Sequence, residues 1–264
     1  MKWLVSGLAV AAALYAIVLV LLYFNQERLL FFPEKLPASK TFSYVLPHEQ
    51  VWVDVPGAKL HAIHLKNANP RGLVFYLHGN GGNVDGWTAG ADFYKTLNYD
   101  LFMIDYRGYG KSTGKIESEA QLHADARIAY DFIAPRYAGK PIAVFGRSLG
   151  TGIATELSID ASPAITILIS PYRSIRALAT GLYPFVPGAL VRYPLDSEAR
   201  IADIKNPLLL MHGKADALIP LTHAQALAAK NPSAKLVVLQ SAHNDVHEAP
   251  GYREAITRAF AEFK

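Results

Sequence analysis

A serine between two glycines is the first feature of the sequence that could do chemistry. Residues 146–150 read Gly-Arg-Ser-Leu-Gly, directly after an apolar run at 141–145 and before a stretch rich in small residues at 151–154. In a nucleophile elbow the serine occupies a strained strand-to-helix turn, so the positions two residues away must lack bulk. The helix that follows points its N-terminus at the developing negative charge. The motif therefore predicts Ser148 as a catalytic nucleophile.

A serine hydroxyl at its free pKa is a weak nucleophile, so a base and an orienting acid must accompany it. After an elbow of this kind the acid and then the histidine follow in chain order, each on a loop after a later strand. Asp216 follows the apolar run 207–211, and His243 follows the run 234–239. We predict His243 as general base and then general acid, with Asp216 orienting its imidazole. Asp245 is a rival for the acid, although its closeness to His243 makes the geometry awkward.

An oxyanion formed by this serine needs two backbone N–H donors. Leu149, the residue after the nucleophile, is predicted to supply one of them. The second is expected from the loop after the third strand, where residues 78–83 read His-Gly-Asn-Gly-Gly-Asn. Its glycines let the backbone approach a bound acyl group, and Asn80 is the predicted donor.

The sequence predicts neither a metal site nor a cofactor site. Because the chain has no cysteine, disulfides, thiolate zinc sites and a cysteine nucleophile are excluded. His61 and His64 are three residues apart on a predicted strand and face opposite sides. His243 and His247 have the spacing of one helix face, so a metal is an alternative there, but no other cluster supplies the remaining ligands. We expect His247 to begin the last helix.

Apolar runs that alternate with segments of helical period must position these residues. Residues 50–54 and 60–65 predict a hairpin that turns at Pro56-Gly57. Unbroken runs predict strands buried on both faces at 73–78, 101–105, 141–145, 164–169, 207–211 and 234–239. Apolar helix stripes are predicted at Leu122, Ala126, Ala129, Phe132 and Ile133 and at Tyr252, Ala255, Ile256, Ala259, Phe260 and Phe263. This order predicts an α/β fold with a mostly parallel, doubly wound sheet and helices on both faces.

The stretch between Ser170 and Pro207 interrupts that rhythm. It has no predicted strand and contains four prolines before Pro207, with scattered aromatic residues. We predict a short cap over the site at about 171–206, with a helical connection whose aromatics only pack as the alternative. A single domain over residues 33–264 is expected, because α/β folds of this size are often undivided.

The N-terminal segment is predicted to be a membrane anchor. Residues 3–24 carry no charge and are long enough to cross a hydrocarbon layer of about 30 Å as a helix. The run exceeds the apolar region of a cleaved signal peptide, which is the alternative. Residues 1–32 are predicted as anchor and interfacial segment, with residues 29–32 lying in the interface or packing against the domain. We expect a single-pass protein of the plasma or inner membrane, and the short tail with Lys2 favours a domain that faces outward.

The charge of the chain argues against a nucleic-acid partner. The formal net charge is +4, and the Lys and Arg residues are scattered without a basic run. Binding to nucleic acid would require a concentrated basic stripe. Mild attraction to an anionic membrane surface is expected instead.

The ordered motifs together resemble one branch of the α/β-hydrolase superfamily. This branch of membrane-anchored serine hydrolases includes protein depalmitoylases and lysophospholipid lipases and is often labelled serine aminopeptidase-like. The likeness runs from about Gln26 to the C-terminus. The motifs that carry it are 78–83, 105–112 (Asp-Tyr-Arg-Gly-Tyr-Gly-Lys-Ser), 146–150, 170–172 (Ser-Pro-Tyr), His212-Gly213 with Asp216, and 243–245 (His-Asn-Asp).

The resemblance implies an α/β-hydrolase fold and hydrolysis of an acyl ester or thioester substrate without a cofactor. It implies that Ser148, Asp216 and His243 form the triad and that Asn80 and Leu149 form the oxyanion hole. A non-catalytic membrane scaffold, a peptidase and an acyltransferase are alternatives on the same fold. No triad member is missing, and acidic residues that would recognise a free amine are not evident near the motifs.

Overall fold

The computed structural model describes residues 2–262, so Phe263 of the predicted C-terminal stripe lies outside the described residues. Within 2–262 the main sheet has eight strands: β1 (His48–Val55), β2 (Ala58–Leu65), β3 (Gly72–Leu77), β4 (Tyr99–Ile104), β5 (Ile142–Arg147), β6 (Ile165–Ile169), β7 (Leu208–Gly213) and β8 (Lys235–Leu239). The α-helices are α1 (Lys2–Phe24), α2 (Gln26–Leu30), α3 (Val84–Trp87), α4 (Asp92–Leu97), α5 (Glu119–Ile133), α6 (Leu149–Ala161), α7 (Ile175–Leu182), α8 (Ser197–Arg200), α9 (Thr222–Lys230) and α10 (Tyr252–Ala261).

The strands lie in the order β1-β2-β4-β3-β5-β6-β7-β8. β2 pairs antiparallel with β1 and β4, whereas the remaining neighbours pair in parallel. The carboxyl ends of β3, β5, β7 and β8 therefore meet at one edge of the sheet, where open α/β sheets bind their ligands. The doubly wound, mostly parallel fold predicted from the sequence is confirmed.

The position of each strand in the sheet explains its residue pattern. The edge strand β1 alternates between buried and exposed residues, while β3 to β7 are buried along their whole length. A strand covered on both faces has no solvent side, so its sequence reads as a continuous apolar run. The predicted hairpin joins β1 to β2, and Gly57 adopts a φ of 75° at its turn, a conformation that glycine tolerates at no steric cost.

Two apolar cores lie on opposite faces of the sheet. Along β3, Leu73, Phe75 and Leu77 belong to one core, whereas Val74 and Tyr76 belong to the other. Helices α5 and α6 cover the first face, and α4 and α10 cover the second. Burial on both faces thus makes the central strands the most protected part of the chain.

The predicted apolar stripe of α5 is wrong at Phe132. The other four positions are buried, but Phe132 is 39% exposed, and the guanidinium of Arg136 lies 5.3 Å above its ring. At 100° per residue, Phe132 lies about 90° from the centre of the stripe. Tyr130 is buried instead and packs edge-on against Phe75, with ring centroids 5.4 Å apart.

The N-terminal helix stands apart from both cores. None of the residues of α1 is buried, and the helix is long and apolar enough to cross a membrane. Residues 29–32, which were expected either to lie in the membrane interface or to pack against the domain, are partly buried and partly exposed. Phe31 is buried edge-on against Tyr193 at 5.3 Å, and Leu30 packs against the same core, whereas Leu29 and Phe32 are exposed.

The excursion between β6 and β7, here called the cap segment (residues 171–206), is helical and irregular. It contains α7, α8 and two short 3₁₀ turns, Gly188–Leu190 and Ile201–Asp203. Its aromatics split into two groups: Tyr172 and Tyr193 are buried, while Tyr183 and Phe185 are exposed. The Tyr172 hydroxyl donates to the carbonyl of Leu149 at 2.9 Å, so the base of the segment is bonded to the start of α6.

A buried ion pair joins the loop after β4 to α5. The guanidinium of Arg107 donates two hydrogen bonds to the carboxylate of Asp125, from Nε at 2.6 Å and from Nη2 at 2.9 Å. Arg107 Nη2 also donates to the carbonyl of Pro56 at 2.9 Å. Both partners are only 6% exposed, so neither charge has water as an alternative partner.

Removing one member of this pair should destabilise the fold. In Asp125→Ala the Arg107 charge stays buried without its partner, and we expect a loss of about 3–5 kcal/mol of unfolding free energy. The matched control is Asp131→Ala in the same helix, whose ion pair with Arg127 is about half exposed and should contribute within about 0.5 kcal/mol. Urea denaturation measures both values, and equal effects would contradict the prediction.

Candidate active site

The turn between β5 and α6 has the backbone of a nucleophile elbow. Ser148 adopts φ 49° and ψ −118°, a strained conformation for a residue with a side chain, and its N–H donates to the carbonyl of Ile169 at 2.9 Å. A Cβ at Gly146 would lie 2.6 Å from the carbonyl oxygen of Gly150, and one at Gly150 would overlap the carbonyl of Leu77. Both flanking glycines are therefore required by close packing, as the motif predicts.

The structure brings Ser148, His243 and Asp216 together. Nε2 of His243 lies 3.1 Å from Oγ of Ser148, and Nδ1 of His243 lies 2.7 Å from Oδ2 of Asp216. Asp216 is buried, whereas the rival acid Asp245 is exposed on the loop after β8. The arrangement is that of a nucleophile, a base and an orienting acid in hydrogen-bond contact.

Backbone contacts between the loops after β7 and β8 create this proximity. The N–H of Ala215 donates to the carbonyl of Ser241 at 2.9 Å, and the N–H of Lys214 donates to that of Leu239 at 2.8 Å. A Cβ at Gly213 would lie 2.6 Å from the Ser241 carbonyl oxygen. Only glycine permits so close an approach, and the two loops that carry Asp216 and His243 therefore touch directly.

The Asp216 carboxylate is held in its charged form. Its Oδ1 accepts from the N–H groups of Leu218 at 3.0 Å and Ile219 at 2.8 Å, while Oδ2 faces His243. Burial alone would raise the pKa of Asp216, but the hydrogen bonds from His243 and the Ile219 N–H hold that pKa below its ordinary value. An ionised Asp216 can accept from Nδ1–H and leave Nε2 free to accept the serine proton.

His212, at the end of β7, supports the same loop. Its Nε2 donates to the carbonyl of Ile219 at 2.7 Å, and the ring is fully buried. Burial lowers the pKa of His212, so the imidazole is neutral at neutral pH. His212 thus has a structural role next to Asp216.

The loop that carries Asn80 is fastened by the motif at residues 105–112. The Tyr109 hydroxyl donates to the carbonyl of Asn80 at 2.6 Å, and the Tyr106 hydroxyl donates to that of His78 at 2.8 Å. Asp105 Oδ1 accepts from the N–H of Val84 at 2.9 Å. These contacts fix the backbone of the glycine-rich loop beside the elbow, where two N–H groups would have to face an oxyanion.

Leu149 is the first residue of α6. An N–H in the first turn of a helix has no intrahelical acceptor, so it can serve an external anion. Asn80 lies on the glycine-rich loop and Leu149 directly follows Ser148. These are the two positions predicted for an oxyanion hole of this type.

A cavity of about 420 Å³ lies beside the glycine-rich loop. Its walls include Gly82, Trp87, Tyr252 and the guanidinium-bearing residues Arg147 and Arg253. Neither Ser148 nor His243 lines it, so this cavity does not contain the reacting groups.

The prediction that His247 begins the last helix is wrong. Residues 240–250 form turns and bends, and α10 begins at Tyr252. The four-residue spacing of His243 and His247 therefore does not place them on a helix face. Within residues 2–262 no group of three potential ligands could hold a metal ion.

Arg147 is a site residue that the sequence analysis missed. Its Nη2 donates to the carbonyls of His243 at 2.9 Å and Asn244 at 3.3 Å, and its guanidinium lies 5.6 Å above the ring of Trp87. The side chain is buried beneath the loop that carries the histidine. The motif leaves its second position open, so an arginine there gives no sequence signal until the loop after β8 is seen to lie over it.

Comparison with known proteins identifies the family of this chain. A family profile described as serine aminopeptidase, S33, matches residues 68–190. Protein bem46 of Schizosaccharomyces pombe is 30% identical over 278 residues, covering 97% of this chain and 92% of that protein. The chain belongs to the serine aminopeptidase-like branch of the α/β-hydrolases. This assignment confirms the resemblance read from the motifs.

Other α/β-hydrolases share more limited regions or only the fold. The lysophosphatidylserine lipase ABHD12 of Danio rerio is 30% identical over 229 residues, covering 71% of this chain and 58% of that protein. An esterase of Pyrococcus furiosus superimposes with a TM-score of 0.70 at 20% identity, over 89% of this chain and 96% of that one. At 20% identity, the esterase structure shows a shared fold and nothing more.

Arg147 is expected to act as a positioning residue for His243. In Arg147→Met we expect kcat for a nitrophenyl ester to fall about tenfold to a hundredfold with little change in KM, because a small displacement of the base slows proton transfer. The control is Arg253→Met. Arg253 belongs to α10, outside the loop that carries His243, and its guanidinium lies 5.3 Å above the ring of Phe93. A rise in KM at constant kcat would show that Arg147 serves substrate binding instead.

Proposed function

We propose that this chain is a membrane-anchored serine hydrolase that cleaves carboxylic ester or thioester bonds of acyl, lipid-like substrates. The observation that carries the proposal is the continuous hydrogen-bond path from Ser148 Oγ through His243 to Asp216, with contacts of 3.1 and 2.7 Å. Membership of a hydrolase family with a lysophosphatidylserine lipase among its relatives supports the reaction class. Residues 1–32 would form the anchor and residues 33–264 the hydrolase domain, with the cap at about 171–206.

In the first half-reaction, Ser148 Oγ attacks the acyl carbonyl carbon while His243 Nε2 takes its proton. The resulting oxyanion accepts hydrogen bonds from the backbone N–H groups of Asn80 and Leu149. As the tetrahedral intermediate collapses, the bond to the alcohol or thiol breaks, and the imidazolium returns the proton to that leaving group. The ionised Asp216 stabilises the imidazolium through Nδ1–H.

In the second half-reaction, water replaces the leaving group. His243 takes a proton from water, whose oxygen attacks the acyl carbon of the acyl-enzyme. Collapse of the second intermediate breaks the bond to Ser148 Oγ, which recovers its proton from His243, and the carboxylic acid leaves. Each proton that the imidazole accepts is returned, so the cycle needs no cofactor.

The preference for lipid-like substrates rests on the apolar N-terminal helix. That helix would keep the domain at a bilayer, where acyl lipids are concentrated. A lysophosphatidylserine lipase among the relatives makes an acyl ester a reasonable first substrate class. The proposed location is a single-pass protein of the plasma or inner membrane with its domain facing outward.

The decisive test of hydrolase activity is Ser148→Ala. We expect the full-length protein in detergent to hydrolyse nitrophenyl esters in the series from acetyl to palmitoyl, and Ser148→Ala to lose about 10³-fold or more in kcat, because it lacks the nucleophile. The chain length with the highest kcat/KM would report the size of the acyl site.

Ser158→Ala is the matched control for this test. Ser158 lies in α6 behind the elbow, is buried, and its hydroxyl has no hydrogen-bond partner among residues 2–262. Its activity should equal that of the wild type. A folded wild type without activity on any ester would favour the non-catalytic scaffold. Activity that survives in Ser148→Ala would show that Ser148 is not the nucleophile.

Asp216→Asn should separate the geometry of the site from its electrostatics. The amide nearly preserves shape, but it can donate to Nδ1 and so favours the tautomer in which Nε2 carries the proton. We expect kcat to fall by up to about 10⁴-fold. Circular dichroism at neutral pH should show an intact fold, and a loss of activity below about tenfold would contradict the role proposed for Asp216.

The same variant should change the pH dependence of stability. The pKa of Asp216 is depressed in the folded state, and an unfolded Asp has a pKa of about 3.9. The stability contributed by its ionised form is therefore present above that value and is lost as the pH falls through the folded-state pKa. The unfolding free energy of Asp216→Asn should fall below that of the wild type by the largest amount at neutral pH. This difference should become smaller in acid. Urea denaturation across this range measures it, and a deficit that grows in acid would refute the linkage.

A further inference from the structure

The tip of the cap segment (residues 181–190, the cap tip) is an exposed apolar loop. Leu182, Tyr183 and Phe185 are 60%, 54% and 58% exposed. No charged residue occurs from 177 to 191, and this uncharged stretch lies between Arg176 and Arg192. A contiguous apolar surface bordered by basic residues marks an interaction site rather than ordinary solvent-facing surface.

The cap tip touches the apolar helix α1 well inside its length. The hydroxyl of Tyr15 donates to the carbonyl of Phe185 at 2.5 Å. Tyr15 lies nine residues before Phe24, the last residue of α1, which corresponds to about 14 Å along the helix axis. Even with a tilt of 40°, this contact lies about 10 Å below the end of the helix along the membrane normal.

A second set of contacts joins the cap segment to α2, at the end of the apolar helix. The Gln26 amide donates to the carbonyl of Leu190 at 2.7 Å and accepts from the N–H of Arg192 at 2.8 Å. The Arg192 guanidinium forms an ion pair with Glu27 at 2.8 Å, and the Tyr193 hydroxyl donates to the same carboxylate at 2.7 Å. Polar contacts at the helix end and one deeper contact at Tyr15 therefore hold the cap segment in a defined orientation to α1.

Part of the backbone of the cap tip is satisfied without water. Irregular chain within a bilayer must satisfy its polar groups internally. Pro184 and Pro187 have no N–H to satisfy, and the N–H groups of Val186 and Leu190 bond to carbonyls within the tip at 2.9 and 3.0 Å. The Phe185 carbonyl, which faces α1, is satisfied by Tyr15.

We propose that the cap tip inserts into the acyl layer of the bilayer beside α1, with Arg192 at the headgroup level. This proposal rests on the proposed membrane anchoring and goes beyond it, because a second part of the protein enters the same lipid leaflet. Arg192 is suited to that level, since its guanidinium pairs with Glu27 and lies 5.6 Å above the ring of Tyr23 near the end of α1. The base of the same segment is bonded to the start of α6 through Tyr172 and Leu149, so an inserted tip would hold the site close to the lipid surface.

The absence of cysteine from the sequence permits a direct measurement of depth. Full-length Phe185→Cys carries one environment-sensitive fluorophore and is reconstituted in vesicles of phosphatidylcholine and phosphatidylglycerol. Lipids brominated on their acyl chains then quench the probe. We expect a blue-shifted emission and quenching about threefold stronger than for a probe at Val45, an apolar residue that is 87% exposed. Its neighbours Tyr44 and Leu46 pack against the second core, on the opposite face of the sheet from Phe31 and Tyr193.

A third probe, in Leu8→Cys, separates this proposal from membrane anchoring itself. Leu8 is an exposed residue of α1 and reports whether the helix is in lipid. Quenching at Leu8 and Phe185 but not at Val45 supports insertion of the cap tip. Quenching at Leu8 alone overturns the proposal and leaves the anchor intact, whereas no quenching at Leu8 removes the anchor and the insertion together.

Tyr15→Phe tests the deep contact without removing apolar surface. Loss of its hydroxyl leaves the Phe185 carbonyl unpaired, so we expect hydrolysis of a palmitoyl ester carried in vesicles to fall about threefold. Hydrolysis of water-soluble nitrophenyl butyrate should not change. Tyr23→Phe is the matched control in the same helix, because Arg192 lies above its ring and the ring is kept. An equal fall on both substrates, or no fall on either, would contradict a role of the inserted cap tip in the hydrolysis of esters held in the bilayer.

Discussion

The strained backbone of Ser148 is the constraint on which the rest of the site depends. A residue with a side chain at φ 49° is held there only if its surroundings leave no alternative. The two flanking glycines provide this, because α6 starts against the end of β3 so closely that a Cβ at Gly150 would overlap the carbonyl of Leu77. The same approach brings the glycine-rich loop after β3 beside the serine. One packing contact therefore positions both the proposed nucleophile and the predicted oxyanion donors.

Two buried carboxylates maintain the loops around that contact. Asp105 binds the N–H of Val84 after the glycine-rich loop and lies 3.4 Å from Nε2 of His78. Burial alone would raise its pKa, but the His61 and His78 imidazoles beside it and the hydrogen bond from the Val84 N–H hold the pKa below the ordinary value. The pKa of Asp216 is lowered for the same kind of reason, by hydrogen bonds from His243 and the Ile219 N–H. Both charges are stabilised by fixed donors, but only Asp216 contacts a histidine that reaches the serine.

The strands and the chemical motifs could be predicted from the sequence because they depend on local pattern. Continuous apolar runs indicate strands covered on both faces, and the elbow combines glycine spacing with a strand and a helix. The features that could not be predicted correctly depend on packing between distant segments. Phe132 has the right residue type but points away from the core, and Arg147 acquires its role only because the loop after β8 lies above it. His247 was misplaced because its spacing to His243 suggests a helix where the chain forms turns.

The proposed catalytic residues and the cap segment depend on different parts of the molecule. Ser148, Asp216 and His243 are held by backbone contacts among loops at the edge of the sheet, and none of these contacts involves α1 or α2. The cap segment is instead bonded to Tyr15, Gln26 and Glu27. Changes in α1, α2 or the cap segment should therefore alter which substrates reach the serine before they alter the chemistry there. A hydrolase built in this way can change its substrate through its cap segment and N-terminal helices while the sheet edge stays the same.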